Sequence, residues 1–291
     1  MARRRLVLLD TDIGNDIDDA VCLAYLLAQP RCELLGITTV TARPDLRARL
    51  ASALCRHAGR DVPIYPGAAD PLVGPPVQGP PPQAVVLDRW EHDTSFPIEP
   101  AVDFLRRTIR AHPGEVTLLT IGPLTNAALL FAADPAIPSL LESLVCMGGS
   151  YAPESDDVEW NLQCDPHAAA QVFAAPVRVH RAIGLNVTTQ VRMRAEDFRQ
   201  RCETPALRPV TDMAESWFDD RADVVFHDPL AGATIFEPDL CRYESGDVTV
   251  NTEPGALAGY TSWRPKHEGR HQIAVDVRPE AFLTHYFDVV R

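Results

Sequence analysis

The chain has 291 residues, of which 46% are hydrophobic, and its formal net charge is −13 at pH 7. This length and apolar content allow a sizeable core in one large domain or two small ones, and they argue against a disordered chain. So acidic a chain repels phosphate backbones and anionic lipids, so neither nucleic acid nor a membrane is an expected partner.

The seven cysteines are scattered, and no two of them form a CxxC pair. The pattern therefore predicts neither a zinc site nor a disulfide framework, and unpaired buried thiols are typical of a reducing cytosol. An apolar run at residues 6–9 is too short for a signal peptide or a membrane span. We therefore expect a cytoplasmic protein.

The first quarter of the chain alternates between strand and helix patterns. Continuous apolar runs at 6–9, 34–40 and 62–65 predict buried strands. Helical spacing between the first two runs, ending at Pro30, places on one face Val21, Ala24, Leu27 and Ala28. A second helix lies between the second and third runs. This order predicts an α/β fold with an open, mostly parallel, doubly wound sheet flanked by helices.

The rest of the chain continues this alternation after one interruption. Residues 68–97 are rich in proline without periodicity, and they predict a long loop that is either a lid or a surface excursion. The later patterns predict helices at 98–111 and 165–174, strands at 116–121, 143–147 and 177–185, a mostly helical stretch at 190–235, short strands at 247–277 and a closing helix at 279–290. Because no linker or repeat interrupts them, we expect a single domain, 1–291.

Five aspartates lie within ten residues directly after the first strand: Asp10, Asp12, Asp16, Asp18 and Asp19. Such crowding is unfavourable for ionised carboxylates unless a cation offsets their repulsion. Open α/β sheets bind ligands beyond the carboxyl ends of their strands, which is where these residues fall. Capping of the following helix accounts for one or two acids but not for five. The cluster predicts a divalent metal site.

Three kinds of metal site use crowded aspartates of this type. An EF-hand loop that starts at Asp10 requires glycine at its sixth position and glutamate at its twelfth, but this chain has Asn15 and Val21 there. The Asp10-Thr11-Asp12 triplet resembles the nucleophile motif of haloacid-dehalogenase-type phosphatases. That chemistry requires a lysine near the phosphate, and Lys266 is the one lysine of the chain, in a late polar turn. Phosphate transfer is kept as an alternative.

The third kind of site depends on five segments in order along the chain. They are the acidic run at 10–20, Gly122-Pro123-Leu124-Thr125-Asn126, Met147-Gly148-Gly149, Glu159-Trp160-Asn161 with Asp165-Pro166, and His227-Asp228-Pro229. Together they resemble the motifs of the calcium-dependent nucleoside hydrolase family. The resemblance implies a homo-oligomeric enzyme, a dimer or tetramer, that cleaves the N-glycosidic bond of a ribonucleoside or a similar small molecule.

The resemblance also implies roles for individual residues. Carboxylates of Asp12, Asp19 and Asp228, with the backbone carbonyl of Ile121, would bind one Ca²⁺, and Asp12 would act as general base on a calcium-bound water. The substrate would be held by Glu159, Asn161 and Asp18, although the longer acidic loop leaves Asp16 and Asp18 as alternative metal contacts. His227 would protonate the departing base, or instead orient Asp228. A binding protein without catalytic activity is the third hypothesis for function.

The sequence departs from the family pattern at the sugar-binding and base-binding ends of the pocket. Arg43 follows the second strand where relatives have an asparagine, and we assign it to substrate binding. It would either contact an anionic group of the substrate or, as we favour, pair with Asp16 or Asp18. Pro44 predicts an extended backbone at Arg43. The stretch around His92-Asp93 lacks the family's glycine-rich segment, and Pro153 replaces a sugar-binding asparagine.

Overall fold

The computed structural model describes residues 4–152 and 155–291, so Pro153 lies outside the described part. Within these residues nine strands form one central sheet, and an antiparallel pair, β7 and β8, lies apart from it. In chain order the strands are β1 (Arg5–Thr11), β2 (Cys32–Thr39), β3 (Ile64–Pro66), β4 (Val116–Thr120), β5 (Ser143–Met147), β6 (His180–Ile183), β7 (Arg192–Arg194), β8 (Asp223–Val225), β9 (Cys241–Val250), β10 (Thr261–Pro265) and β11 (His271–Val277).

Helices connect these strands and cover both faces of the sheet. They are α1 (Asp18–Ala28), α2 (Pro44–His57), α3 (Ala101–Ala111), α4 (Thr125–Ala133), α5 (Ile137–Leu140), α6 (Trp160–Cys164), α7 (Pro166–Ala174), α8 (Leu185–Thr188), α9 (Ala195–Arg201), α10 (Arg208–Phe218), α11 (His227–Thr234) and α12 (Pro279–Val289). Three 3₁₀ helices, Pro82–Asp88, Pro205–Leu207 and Pro238–Leu240, complete the regular structure of the described residues.

The strand order in the sheet is β10-β9-β11-β6-β5-β4-β1-β2-β3. Neighbours from β11 to β3 pair in parallel, and β9 and β10 add an antiparallel edge. After β1 the chain builds the sheet on one side through β2 and β3, and then returns to the other side of β1 with β4. This reversal is the topological switch point at which open α/β sheets bind their ligands.

The central strands are buried on both faces. In β1, Val7 and Leu9 contribute to one hydrophobic core while Leu8 contributes to the other, and no side chain of β4 is exposed. Strands of this kind have continuous apolar sequences, because both rows of alternating side chains meet a layer of helices. The two cores hold the ends of β1 and β4 in fixed positions.

The expected α/β class, with its mostly parallel sheet and late strands, is confirmed, while the single domain over 1–291 stays a prediction. In α1, Val21, Ala24 and Leu27 are buried as their spacing suggests, but burial extends around the whole helix: Asp18 to Leu27 are all buried, whereas Ala28 is exposed. The cause is that α1 lies between the sheet and four other helices, α2, α10, α11 and α12. The mostly helical stretch at 190–235 also contains the β7–β8 pair.

No helix of the described residues is both long and apolar enough to cross a bilayer. The seven cysteines are all buried and unpaired, as expected from their spacing.

Candidate active site

A cavity of about 560 Å³ opens at the carboxyl ends of β1, β4 and β5. Its lining combines acidic, amide and aromatic side chains. The residues that line it are Asp12, Asn15, Asp16, Asp18, Asp19, Gln78, Ile121, Met147, Val158, Glu159, Trp160, Asn161, Leu185, Trp217, Arg221, His227 and Asp228. All but one of the site residues expected from the sequence therefore line a single cavity, and the exception is Arg43.

Three carboxylates meet at the floor of this cavity. Asp18 and Asp19 are the first two residues of α1, and Asp228 lies in the first turn of α11. One carboxylate oxygen from each lies within 4.8 Å of the other two, and all three residues are buried. Asp18, which we had assigned to substrate, thus lies among the possible metal ligands. The ligand assignments themselves stay predictions.

Electrostatics makes this triad a suitable place for a cation. Burial, and then the neighbouring carboxylates, raises the pKa of Asp18, Asp19 and Asp228 well above the usual value. The Thr11 hydroxyl donates to Asp19 Oδ1 at 2.5 Å, but no arginine or lysine forms an ion pair with the triad among the described residues. A divalent cation bound by these oxygens would offset the repulsion that otherwise favours their protonation. The donor set therefore fits a hard metal ion.

Asp12 lies between β1 and α1 and faces the same cavity. Burial raises the pKa of its carboxyl group, whereas the charge of Arg47 and a hydrogen bond from Gln78 act in the opposite direction. Gly122 is required beside it, because a Cβ atom at that position would lie 2.7 Å from Asp12 Oδ1. The Gly-Pro-Leu-Thr-Asn segment after β4 therefore leaves space for this carboxylate.

Glu159 and Asn161 form one wall of the cavity. Glu159 caps α6, since its carboxylate accepts hydrogen bonds from the backbone N–H groups of Asn161 at 2.8 Å and Leu162 at 3.1 Å. Burial raises the pKa of Glu159 to about 7. The Asn161 side chain donates to the carbonyl oxygens of Ile121 at 3.0 Å and Met147 at 3.3 Å. These bonds connect α6 to the ends of β4 and β5.

His227 begins α11, next to Asp228. Its Nδ1 atom lies 2.7 Å from the hydroxyl of Thr188, so this ring nitrogen has a fixed partner. Burial, with a smaller contribution from the charge of Arg192, lowers the pKa of His227 to about 4. A histidine of ordinary pKa titrates close to pH 7, whereas a pKa of about 4 leaves the His227 ring neutral there.

Arg43 lies away from the cavity. Its guanidinium donates to both carboxylate oxygens of Asp45, at 2.9 and 2.8 Å, and about half of the side chain is exposed. The favoured pairing with Asp16 or Asp18 was therefore wrong, because a carboxylate two residues along the chain is closer. The extended backbone expected before Pro44 was also wrong. Arg43 has φ 61° and ψ 53°, and in this turn its carbonyl accepts the N–H groups of Leu46 and Arg47.

Sequence reasoning missed several residues at the mouth and edge of the cavity. Gln78 comes from the proline-rich loop, and Trp217 and Arg221 come from the end of α10 and the turn after it. The Arg221 guanidinium carbon lies 5.1 Å from the centroid of the Trp217 ring. None of these positions has a sequence signal of its own. His92 and Asp93 do not line the cavity; Asp93 binds Ser52 and Arg56 instead.

A buried acidic cluster at the switch point of a parallel α/β sheet is suited to metal-assisted hydrolysis. Residues 7–284 match the inosine-uridine preferring nucleoside hydrolase family, and the chain belongs to this family. The expected class of enzyme, an N-glycosyl hydrolase, is confirmed by this membership.

Known relatives agree with this result over most of the chain. Uridine nucleosidase 1 of Arabidopsis thaliana is 31% identical, with 90% of this chain and 82% of the relative covered. The non-specific ribonucleoside hydrolase RihC of Salmonella paratyphi A is 33% identical, with 93% of each chain covered. Among solved structures, the plant nucleoside hydrolase PpNRh1 has a TM-score of 0.86 at 23% identity, with 98% of both chains covered, which shows a common fold.

Proposed function

We propose that this chain hydrolyses the N-glycosidic bond of ribonucleosides, releasing the base and the sugar, and that it does so with a bound Ca²⁺ ion. The observation that carries the proposal is the triad of buried carboxylates on the floor of a cavity that also contains Asp12, Glu159 and Asn161. Related chains are named for uridine and for ribonucleosides without base preference, which suggests a panel of nucleosides as substrates.

The residues that would hold the cation are Asp12, Asp19, Asp228 and the Ile121 carbonyl, with Asp18 close enough to replace one of them. The Ile121 oxygen accepts one hydrogen bond from Asn161, and its second lone pair is available for a metal ion. Several carboxylates with a carbonyl suit the high coordination number of calcium. When bound, the ion would polarise a water molecule and the vicinal hydroxyls of the sugar.

Asp12 would accept the proton of the attacking water. General-base catalysis requires an ionised carboxylate that is held in one orientation. The charge of Arg47 favours the ionised form of Asp12, and the Gln78 amide hydrogen-bonds to its carboxylate. Glu159 and Asn161 would bind the sugar hydroxyls, which fixes the anomeric carbon relative to the water. The electron-poor sugar carbon of the transition state would lie next to several carboxylates, which favour positive charge there.

The departing base would lie toward the mouth of the cavity, near Trp160, Trp217 and Arg221. His227 is neutral, so it would assist as a hydrogen-bond donor and not as a charged acid. In the tautomer where the Thr188 hydroxyl donates to Nδ1, the Nε2 atom carries the proton and can donate it toward the base. Whether His227 instead orients Asp228 is tested by replacing it with glutamine, which retains a donor.

Phosphate transfer is disfavoured. Lys266, the single lysine of the chain, binds Asp247 at 3.1 Å, with 60% of its side chain exposed, and it does not line the cavity. The decisive experiment is release of reducing sugar from a nucleoside panel, with and without a chelator, next to an assay for phosphate release. Calcium-dependent sugar release supports the proposal; phosphate release, or binding without turnover, contradicts it. Cytoplasmic location and a dimer or tetramer stay predictions from the sequence.

A further inference from the structure

Arg47 is a fully buried arginine in the first turn of α2. Its guanidinium donates to oxygens from three different loops. Nε donates to the carbonyls of Thr41 and Ala42, at 3.2 and 3.1 Å, and Nη2 to that of Gly79 at 3.1 Å. Nη1 donates to the Asp12 carbonyl through a short bond, to the Ile13 carbonyl at 3.1 Å and to Asn15 Oδ1 at 2.8 Å.

Burying a charged guanidinium costs solvation free energy. None of the described carboxylates forms an ion pair with Arg47, so carbonyl dipoles alone contact its charge directly. A buried cation is tolerated only when its donors are satisfied, and here acceptors surround it in one precise arrangement. Any movement of one loop would break bonds to a charge that cannot reach water.

The turn after β2, which Arg47 contacts, contains strained backbone. Thr41 has φ 60°, and a β-branched residue rarely adopts this left-handed conformation. Strain of this kind persists only where the surroundings impose it. The Thr41 carbonyl accepts from Arg47, and its N–H donates to the Ala68 carbonyl at 2.7 Å. Hydrogen bonds therefore hold the turn after β2 from two sides, at Arg47 and at Ala68.

Further hydrogen bonds hold the proline-rich loop (residues 68–97) against the acidic loop that follows β1. The Gln83 N–H donates to the Gly14 carbonyl at 3.1 Å, and its side chain donates to the Asp16 carbonyl at 2.9 Å. Arg47 holds Gly79 of this loop, and the neighbouring Gln78 contacts the Asp12 carboxylate. The segment at 78–83 thus holds the acidic loop in place.

We infer that Arg47 is a positioning residue for the hydrolysis: it fixes the backbone of Asp12 directly and, through Gly79, the Gln78 amide that contacts the Asp12 carboxylate. This inference rests on the proposed function, since it assigns Arg47 a role in aligning the proposed base. The carboxylates of Asp18, Asp19 and Asp228 lie on α1 and α11, which Arg47 does not contact through hydrogen bonds. Asp12 is one of several proposed ligands of the cation, so its misalignment should lower kcat more than it weakens Ca²⁺ binding.

The test compares Arg47→Lys with Arg56→Lys. Arg56 lies on the same helix and also makes several hydrogen bonds, to Asp93 and Glu91, but at the surface. Misplacing a catalytic group by about 1 Å costs about 100-fold in rate. We therefore expect Arg47→Lys to lower kcat at saturating Ca²⁺ about 100-fold, with KM changed by less than about threefold and the affinity for Ca²⁺ lowered far less than kcat. Arg56→Lys should match the wild type. An unchanged kcat in Arg47→Lys overturns the inference, whereas an inactive wild-type enzyme contradicts the proposed function itself.

A second comparison remains decisive if Arg47→Lys does not fold. Asn15→Ala removes a single acceptor of Arg47 and should lower kcat at saturating Ca²⁺ several-fold, by more than it weakens Ca²⁺ binding. Gln78→Ala, combined with each of these variants, tests whether they lower kcat through the same effect, the alignment of Asp12. Because Arg47 and Gln78 would act on the same carboxylate, we expect the losses in kcat to be less than multiplicative. Fully multiplicative losses, or an Asn15→Ala enzyme with wild-type kcat, would overturn the inference.

Discussion

The backbone N–H of Asp228 donates a 3.1 Å hydrogen bond to Oδ2 of Asp18, across 210 positions of sequence. This bond joins the beginning of α11 to the beginning of α1, so both helix N-termini approach the carboxylate triad. Unpaired N–H groups and the helix dipole stabilise negative charge at such ends. They offset only part of the repulsion, because the pKa of each triad member remains raised. A bound cation would offset the remaining repulsion among the three carboxylates.

Removing one member of the triad should weaken metal binding without harming the metal-free fold. In Asp228→Asn one buried carboxylate is replaced by an amide of the same shape, which relieves repulsion. We expect the metal-free variant to melt at or above the temperature of the metal-free wild type. Added Ca²⁺ should stabilise the wild type by about 2.7 kcal/mol at 100 times its Kd, and the variant much less. Thermal melts with chelator or with Ca²⁺ measure both effects, and a full calcium shift in the variant would contradict the ligand role.

Asp12→Asn tests the general base. The amide cannot accept the proton of water, so kcat should fall by about 10²- to 10⁴-fold, the range typical of general acid–base catalysis. Ribose or a nucleoside should still bind, because Glu159 and Asn161 are unchanged. Steady-state kinetics and equilibrium binding separate the two effects. The surface variant Asp45→Asn, whose residue pairs with Arg43 outside the cavity, serves as control. A near wild-type rate in Asp12→Asn would exclude this role.

The sequence predicts those parts of the site whose residues would be energetically unfavourable without a ligand or a buried environment. Crowded aspartates after an apolar run are unfavourable in isolation, and they point to a cation at the end of a buried strand. The central strands are equally visible, because β4 and the end of β1 are buried on both faces and so have no polar residues facing solvent. The ends of parallel strands then bring Asp12 and Ile121 together.

Arg47 and Gln78 show why the remainder was not predictable. An arginine on a helix is ordinarily solvated, and its burial here depends on carbonyl groups 32 to 35 positions away in sequence. A proline-rich loop without periodicity gives no indication of which side chain faces inward. For Arg43 the sequence predicted a role at the substrate that the structure does not support. Arg43 stands where relatives have an asparagine, but a nearby acid, Asp45, binds its guanidinium outside the cavity.

Replacing Arg43 should therefore leave catalysis unchanged. In Arg43→Asn an exposed ion pair is lost, which is worth about 0–1 kcal/mol, and asparagine tolerates the left-handed backbone better than arginine. We expect the free energy of unfolding to change by less than about 0.5 kcal/mol. Values of kcat and KM should match the wild type on ribonucleosides and on their 5′-phosphates. A selective loss on the phosphates would instead place Arg43 at the substrate.

Stability toward acid should depend on a histidine far from the proposed metal ligands. His180 is fully buried in β6, its ring lies beside Phe173 and His271, and its Nδ1 atom has no hydrogen-bond partner among the described residues. Burial, and then the charges of His271 and Arg270, lowers the pKa of His180 well below its usual value. The folded protein thus keeps a neutral ring, while the unfolded chain binds a proton below pH about 6.5. Unfolding is therefore favoured as pH falls below this value.

His180→Gln should make the pH dependence of unfolding shallower. Each pH unit below about 6.5 costs up to about 1.4 kcal/mol for a group that is protonated only when unfolded. Between pH 7.5 and 5.5, urea unfolding of the wild type should therefore lose about 1 kcal/mol more than the variant does. The carboxyl groups with raised pKa values act in the opposite direction, but they are common to both proteins and cancel in the difference. Equal slopes in the two proteins would mean that His180 is protonated in the folded state or reaches water there.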